Sequence, residues 1–446
     1  MNKIAPLYVA YPPRNAVIKN GLPGLFIYGA LSNARAGLKI NGIKAHVYKT
    51  GAYIAYIPAR AGNFDFKLEF DDGKKQHAYT HPVFIEMPPP PQRLLAEYKK
   101  TAVVTREGCR PRPTPQSGKN LPDTYLTGAV EITGETADFY RLRLTDGKIA
   151  WAEKDFFSVP QKRKTPQNRI KNISVREEPA KTLIKIENTR RVSFTARERK
   201  NSFDISLYYS GGAAVKVFYK KGQILWGCNY KWRSNDLIFE FYHQPLLPAA
   251  DAAKPLKGLK VFLDPGHSPK QIYAGESKPS PHGLWEYKFN YKIALAARRA
   301  LAVLGARVIL SKTLAEQMPL QLRAQKAKDS GAHIFISLHN NSWPDNVNPL
   351  KRKNGSEIYY YHPHSAALAR AIDASYARNI PLPSEGVKHG DFYVLRNTPQ
   401  IPAVLIENAY ISLPQHEELL MKPSFIKRLA DAITGGVLGF FKHKNN

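Results

Sequence analysis

The sequence predicts a multidomain chain in which N-terminal all-β modules precede a C-terminal α/β domain, whose mainly parallel sheet is covered by helices on both faces. Three observations predict it. At 446 residues the chain exceeds one ordinary core, since domains run to roughly 100–200 residues. Proline-rich or basic stretches divide it at Pro88–Pro91, Gln161–Gln167 and Pro245–Pro255. Beyond Leu259 the short alternating runs give way to strands separated by amphipathic segments, the pattern of βα units.

Residues 1–87 read as β, with strands at Gly24–Gly29, Leu38–Ala45, Ala52–Ile57 and Phe64–Phe70. Asn41-Gly42 sits between alternating apolar positions. A two-residue type I′ turn needs positive φ at both central residues, which this pair tolerates. A small immunoglobulin-like sandwich is the economical reading. Pro88–Pro91 then acts as a semi-rigid spacer. Over 97–160 the pieces are Ala102–Arg106, a proline-rich turn, Phe139–Leu144, the turn Asp146-Gly147 and Ile149–Trp151. Residues 168–247 alternate again, as in Ile173/Val175, Ile184/Ile186, Ile205/Leu207 and Leu237/Phe239/Phe241, which implies another small β-domain.

The 66 Lys+Arg against 36 Asp+Glu give a formal net charge of +30, which implies salt-dependent attraction to something anionic. The basic residues are scattered, and no helix-turn-helix, zinc-finger or RNA-binding motif focuses them. A polyanionic envelope is therefore expected ahead of nucleic acid. Cys109 and Cys228 are too few for a disulfide framework and fall in different β-regions. Met1–Asn15 is broken by Pro6, Pro12 and Pro13 and is no signal h-region. Nor does any run reach the roughly 18 apolar residues of a membrane span. Export would then rest on a removed leader, a longer gene or another route.

In the C-terminal domain, 257–446, strand Leu259–Leu263 precedes a helix with Phe289, Ile293, Ala297 and Leu301 on one face and Gly305 as its stop. Further strands are expected at Arg307–Leu310, Ile334–Leu338, Glu357–Tyr361, Phe392–Leu395 and Ala403–Ile406. Helices are expected near 316–329, 365–379, 414–421 and 424–441. In such sheets sites form at the carboxyl ends of strands. His267, His339 and Glu407 each stand just past a strand, and Glu286 begins the first helix. Two imidazoles and a carboxylate suit zinc, which keeps one position for water and lowers that water's pKa to about 7. A second carboxylate must then take the proton and return it to the leaving group, and Glu407 fits that role.

Asp264-Pro-Gly-His267, Gly283-Leu-Trp-Glu286 with Asn290, Leu304–Leu310, Leu322-Arg323, Ile336–Asn341, Gly355–Tyr360, Ser365 with Leu368-Ala369, and Pro402–Glu407 follow one another in order. Together they resemble the zinc-dependent N-acetylmuramoyl-L-alanine amidase family over about 257–441. The resemblance implies His267, Glu286 and His339 as ligands of Zn2+ and Glu407 as the catalytic glutamate. It further implies peptidoglycan as substrate and a periplasmic or cell-wall location, with an envelope regulatory protein as an open partner class. Upstream, 97–160 resembles a bacterial Src-homology-3-like barrel, and 168–247 resembles the AMIN type in position and size. Leu310-Ser-Lys312 departs from the family's usual Thr-Arg strand end. Between His339 and Gly355 there is no room for the long helical plug with which some members inhibit themselves.

Plainer readings exist for each residue. A lone strand-end histidine is more often simply hydrogen-bonded, but four groups in matching order reverse that. Glu276 and His282 share the loop of Glu286. Glu407 as a structural ion-pair carboxylate would be costly to bury. Asp264 is expected to fix its own turn and orient His267, and Arg323 to anchor a helix. Asn341 and Arg396 divide between substrate contact and surface roles; His333, His362, His364 and His389 are ordinary, and Lys162-Arg-Lys164 is a solvated connector. Two rival functions remain: a non-catalytic wall-binding adaptor, and a zinc peptidase cutting peptide–peptide bonds in peptidoglycan.

Overall fold

The computed structural model describes residues 6–19, 23–144, 147–160, 167–220, 224–249, 251–269 and 277–442. Asp146 of the expected turn, the basic linker 161–166 and the loop residues Gly275 and Glu276 lie outside the described residues. The chain forms two compact units, one of Met1–Pro89, Leu247–Thr398 and Pro402–Asn446, the other of Pro90–Leu246 and Pro399–Ile401.

The first unit begins with two sheets packed face to face. One orders Leu7–Tyr11, Gly24–Leu31, Ala52–Pro58 and His46–Val47; the other orders Val17–Lys19, Gln76–Glu86, Gly62–Asp71, Leu38–Ile40 and Ile43–Lys44. Strict alternation in Gly62–Asp71 turns Phe66, Leu68 and Phe70 inward, against Leu25, Ile27 and Ile57 of the facing sheet. Asn41 and Gly42 take φ of 50° and 78°, and Ile40 pairs with Ile43 across them. Gly24–Leu31 is buried along its whole length, because its second face is also covered. Phe26 and Tyr28 join Ala10 and Ile54 in a cluster with Tyr410 and Leu413 of the C-terminal domain.

That domain carries a six-stranded sheet in the order Arg307–Leu310, Lys260–Pro265, Ile334–Asn341, Ala403–Tyr410, Ser356–Tyr360, Ser384–His389. The first four strands are mutually parallel. Ser356–Tyr360 runs antiparallel to Ala403–Tyr410 and parallel to Ser384–His389. Helices Glu286–Val303, Leu320–Asp329, Ala366–Asn379, Pro414–Leu420 and Pro423–Lys442 fill the connections. The expected strand Phe392–Leu395 is instead a single helical turn, Tyr393–Arg396. Asp391 pairs with Arg396 across it, and Thr398 Oγ1 caps the Val394 carbonyl at 2.8 Å. Four apolar residues carry too little period to separate helix from strand.

In the second unit a twelve-residue strand, Thr124–Glu135, serves two hydrophobic cores. Its first half pairs with Val192–Glu198, its second with Ala96–Val104 and Phe139–Arg143. The handover is at Gly128, whose φ is 65° and where a Cβ would meet the Arg191 carbonyl oxygen at 2.4 Å. Only glycine fits that bulge. Cys109 packs in one core and Cys228 beside the other, both as free thiols.

Candidate metal centre

Strand Lys260–Pro265 delivers Gly266 and His267 to the carboxyl edge of the sheet. A Cβ on Gly266 would lie 2.1 Å from Cε1 of His339, so glycine lets the backbone pass beneath that ring. His267 has a φ of 58°, a left-handed conformation uncommon outside glycine and sustained only where the surroundings fix it. Arg323 does the fixing. It donates to the carbonyls of Pro265 (2.9 Å) and His267 (2.8 Å), to Ser268 Oγ (3.1 Å) and to Asp264 Oδ1 (2.6 Å).

Asp264 thus has a different task from the expected turn closure. Wholly buried, it takes Arg323 and the Ser337 hydroxyl at 2.9 Å, tying the His267 loop to the neighbouring strand. Burial alone would raise its pKa; the Arg323 guanidinium, together with the Ser311 hydroxyl and His339, outweighs that and holds the carboxyl below its ordinary range. Arg323, expected only to anchor a helix, braces the loop that presents His267.

Glu286 is the first residue of its helix, where a carboxylate also meets the favourable end of the helix dipole. Its Oε2 lies 3.0 Å from His267 Nε2 and its Oε1 3.3 Å from His339 Nδ1. One donor atom from each of these residues falls within 4.8 Å of the others, the one such His/Cys/Asp/Glu group among the described residues. Asn290, one turn along the helix, donates to Glu286 Oε1 at 3.0 Å, as does the Asn340 backbone N–H at 3.0 Å. Asn340 Nδ2 in turn reaches Asn290 Oδ1 at 2.8 Å. Burial opposes ionisation of Glu286, yet His267 and His339 together hold its pKa well below the usual carboxylate value. Two imidazole nitrogens and one ionised carboxylate oxygen form a donor set that fits zinc.

Glu407 ends an apolar run and is the register neighbour of His339 on one side and of Glu357 on the other. It is 8% exposed, and its Oε2 finds no hydrogen-bond partner among the described residues. Burial first, then the charges of Glu286 and Glu357, push its pKa well above the ordinary glutamate value. Glu357 is itself satisfied by Lys388, Tyr359, Asn341 (3.2 Å) and Tyr410 (3.3 Å). Despite burial, Lys388 and Tyr359 keep Glu357 ionised below the usual range.

The remaining candidates lie apart from this group. Asn341 braces Glu357, and Arg396 pairs with Asp391. His282 is bound at Nδ1 by Glu417 at 2.8 Å. His333 Nδ1 accepts from the Lys260 N–H at 3.2 Å, and half-buried His362, its pKa driven down to about 3 by desolvation, meets the Arg396 carbonyl. Asn340 was given no role in the sequence reading because its contact with Glu286 is made by a backbone N–H, while its side chain reaches only Asn290. The four-residue spacing from Glu286 to Asn290 was the available signal for the other amide, since it sets both on one helix face.

Residues 261–438 match the family described as N-acetylmuramoyl-L-alanine amidase. They form an amidase domain of that family. Among curated relatives, the N-acetylmuramoyl-L-alanine amidase LytC of Bacillus subtilis is 31% identical over 192 residues, covering 42% of this chain and 36% of LytC. The probable cell wall amidase LytH of Staphylococcus aureus is 30% identical over 203 residues, covering 45% of this chain and 65% of LytH. The chain thus spans about a third of the one relative's length and just under two thirds of the other's. Among solved structures, the amidase AmiC2 of Nostoc punctiforme aligns at 28% identity with a TM-score of 0.37, over 41% of this chain and 97% of that one. Every described residue of the His267, Glu286, His339 and Glu407 group lies within the amidase domain.

Proposed function

We propose that the chain is a zinc-dependent peptidoglycan hydrolase that cleaves the amide between N-acetylmuramic acid and the L-alanine of the stem peptide. The observation that carries this reading is one sheet edge holding a His-Glu-His donor group beside a glutamate with an oxygen unpartnered among the described residues, inside an amidase domain. In this reading His267, Glu286 and His339 hold Zn2+, which when bound lowers the pKa of a water and polarises a neighbouring carbonyl. Glu407 takes the proton of the attacking water and hands it to the departing nitrogen. Its raised pKa suits the second half of that task, because a carboxyl that holds a proton near neutrality is a competent acid. Asn290 and the Asn340 N–H keep Glu286 in place, and Arg323 keeps His267 in its left-handed turn.

Around this centre we assign residues 1–87 to an immunoglobulin-like sandwich, 97–160 to a bacterial Src-homology-3-like barrel, 168–247 to an AMIN-like domain and 257–446 to the catalytic domain. The net charge of +30 supports attachment to a polyanionic wall, and the location that follows is the periplasm or the extracellular wall. Digestion of purified sacculi with mass analysis of the fragments tests the proposal. Free peptides beginning with L-alanine, with the lactyl carboxyl left on muramic acid, are expected. Cuts only between amino acids would replace the amidase by a peptidase, and tight binding without any cut would replace it by an adaptor.

A further inference from the structure

Three backbone segments leave the metal centre, and all three run onto one face of the N-terminal sandwich. The first, 277–285, leads into Glu286. The second, Ser342–Asn346, follows the strand of His339, and the third, Tyr410–Leu413, follows the strand of Glu407. Lys278 joins the first two: its Nζ donates to Asp345 Oδ1 at 2.6 Å and to the Trp343 carbonyl at 3.3 Å. The sandwich closes over that ammonium. The rings of Tyr11 and Phe26 lie 4.2 and 4.9 Å from Nζ, and the Tyr11 hydroxyl donates to the same Asp345 oxygen at 2.8 Å.

Other contacts repeat the pattern. Tyr28 donates to the Pro279 carbonyl at 2.9 Å, His282 Nε2 meets the Thr50 carbonyl at 3.2 Å, and Tyr56 donates to the Asn346 carbonyl at 3.1 Å. Trp343 stacks on Tyr410 at 5.0 Å, and both pack with Phe26, Tyr28 and Ile54. Nothing in a generic tether would require contact with every one of these segments. An ammonium over two aromatic faces, already paired to a carboxylate, is held in one place, and so are the two chain segments it links.

We infer that the sandwich is a working part of the metal centre, and that Lys278 is a positioning residue which, through 277–285 and Asp345, sets the spacing of Glu286 and His339. This rests on the reading that those residues ligate zinc. Groups bonded directly to a ligand alter metal affinity by 10–100-fold; Lys278 bonds neither ligand itself and acts through the two chain segments that carry them.

The test is the dissociation constant of Zn2+ for the full chain, measured by competition with a chromophoric chelator, beside the melting temperature of the metal-free protein. Lys278→Met should weaken zinc binding at least tenfold, and Lys278→Arg, which keeps the cation over the rings, should restore most of it. If Lys278→Met does not fold, the double variant Tyr11→Leu with Phe26→Leu removes the sandwich side of the clamp and carries the same expectation. Lys49→Ala, which breaks an exposed ion pair to Glu418, serves as the unchanged control. A lowered melting temperature with unaltered zinc affinity in the clamp variants would reduce the contact to adhesion and overturn the inference. Failure of the unsubstituted chain to bind one zinc would instead remove the metal reading itself.

Discussion

Glu286 opens a helix and sits among two imidazoles, a backbone N–H and the Asn290 amide. Glu407, on a strand of the C-terminal sheet, faces two other carboxylates and leaves an oxygen without a partner among the described residues. Both are buried, yet one is driven to ionise and the other to keep its proton. The difference lies wholly in the neighbours, which teaches that environment alone can split a pair of identical side chains into an ionised and a protonated group; under the proposed function these are the metal ligand and the proton carrier.

Substituting the proton carrier tests the split most severely. Glu407→Gln, nearly isosteric but unable to accept a proton, should lower kcat by about 10²–10⁴-fold while bound zinc, measured by atomic absorption, stays stoichiometric. Loss of metal in that variant would erase the distinction between the two glutamates. Next in size is the brace beneath the ligand corner. Arg323→Met strands the carboxylate of Asp264 in the interior and should cost about 3–5 kcal/mol in denaturant unfolding; a change under 1 kcal/mol would deny it that role.

The charge set around Glu407 can be altered more gently. Glu357→Gln removes one of the two negative neighbours that hold Glu407's pKa up, so the acidic limb of kcat/KM should move to lower pH. A shift to higher pH would show that Glu357 does not act through its charge. The smallest effect concerns Lys312, a basic counterpart to Glu407. Its Nζ is buried without a hydrogen-bond partner among the described residues, and burial, aided by Arg323, brings its pKa down to about 8. An unfolded lysine titrates near 10.4, so between these values the unfolded chain binds more protons and stability rises with pH. Lys312→Met should therefore melt a few degrees higher at pH 7, about what 1 kcal/mol yields in a domain of this size. That advantage should shrink as pH climbs from about 8 towards 10.

How much of this was legible depended on how local the signal is. Lys260–Pro265, Ile334–Asn341 and Ala403–Tyr410 each carry an apolar run, so the parallel core of the sheet stood out; His267 lies just past its strand as expected, whereas His339 and Glu407, expected just past theirs, lie within strands that run on to Asn341 and Tyr410. The edge strand Ser384–His389 did not, since Ser-Glu-Gly-Val-Lys-His has no alternation and a Gly386 at φ 85°. Thr124–Glu135 was hidden by two glycines that interrupt its period. The reach of Arg323 to a carbonyl 56 positions away, and the approach of Gly266 to the His339 ring, arise only when distant segments meet. No window along the chain contains them.

The long strand Thr124–Glu135 carries one more implication. Because a single stretch of backbone completes the hydrogen bonding of both Ala96–Val104 and Val192–Glu198, neither group of residues can be expressed without the other and keep its edge paired. Heating should melt them in one cooperative step, and nicking the chain between them would leave the two fragments associated.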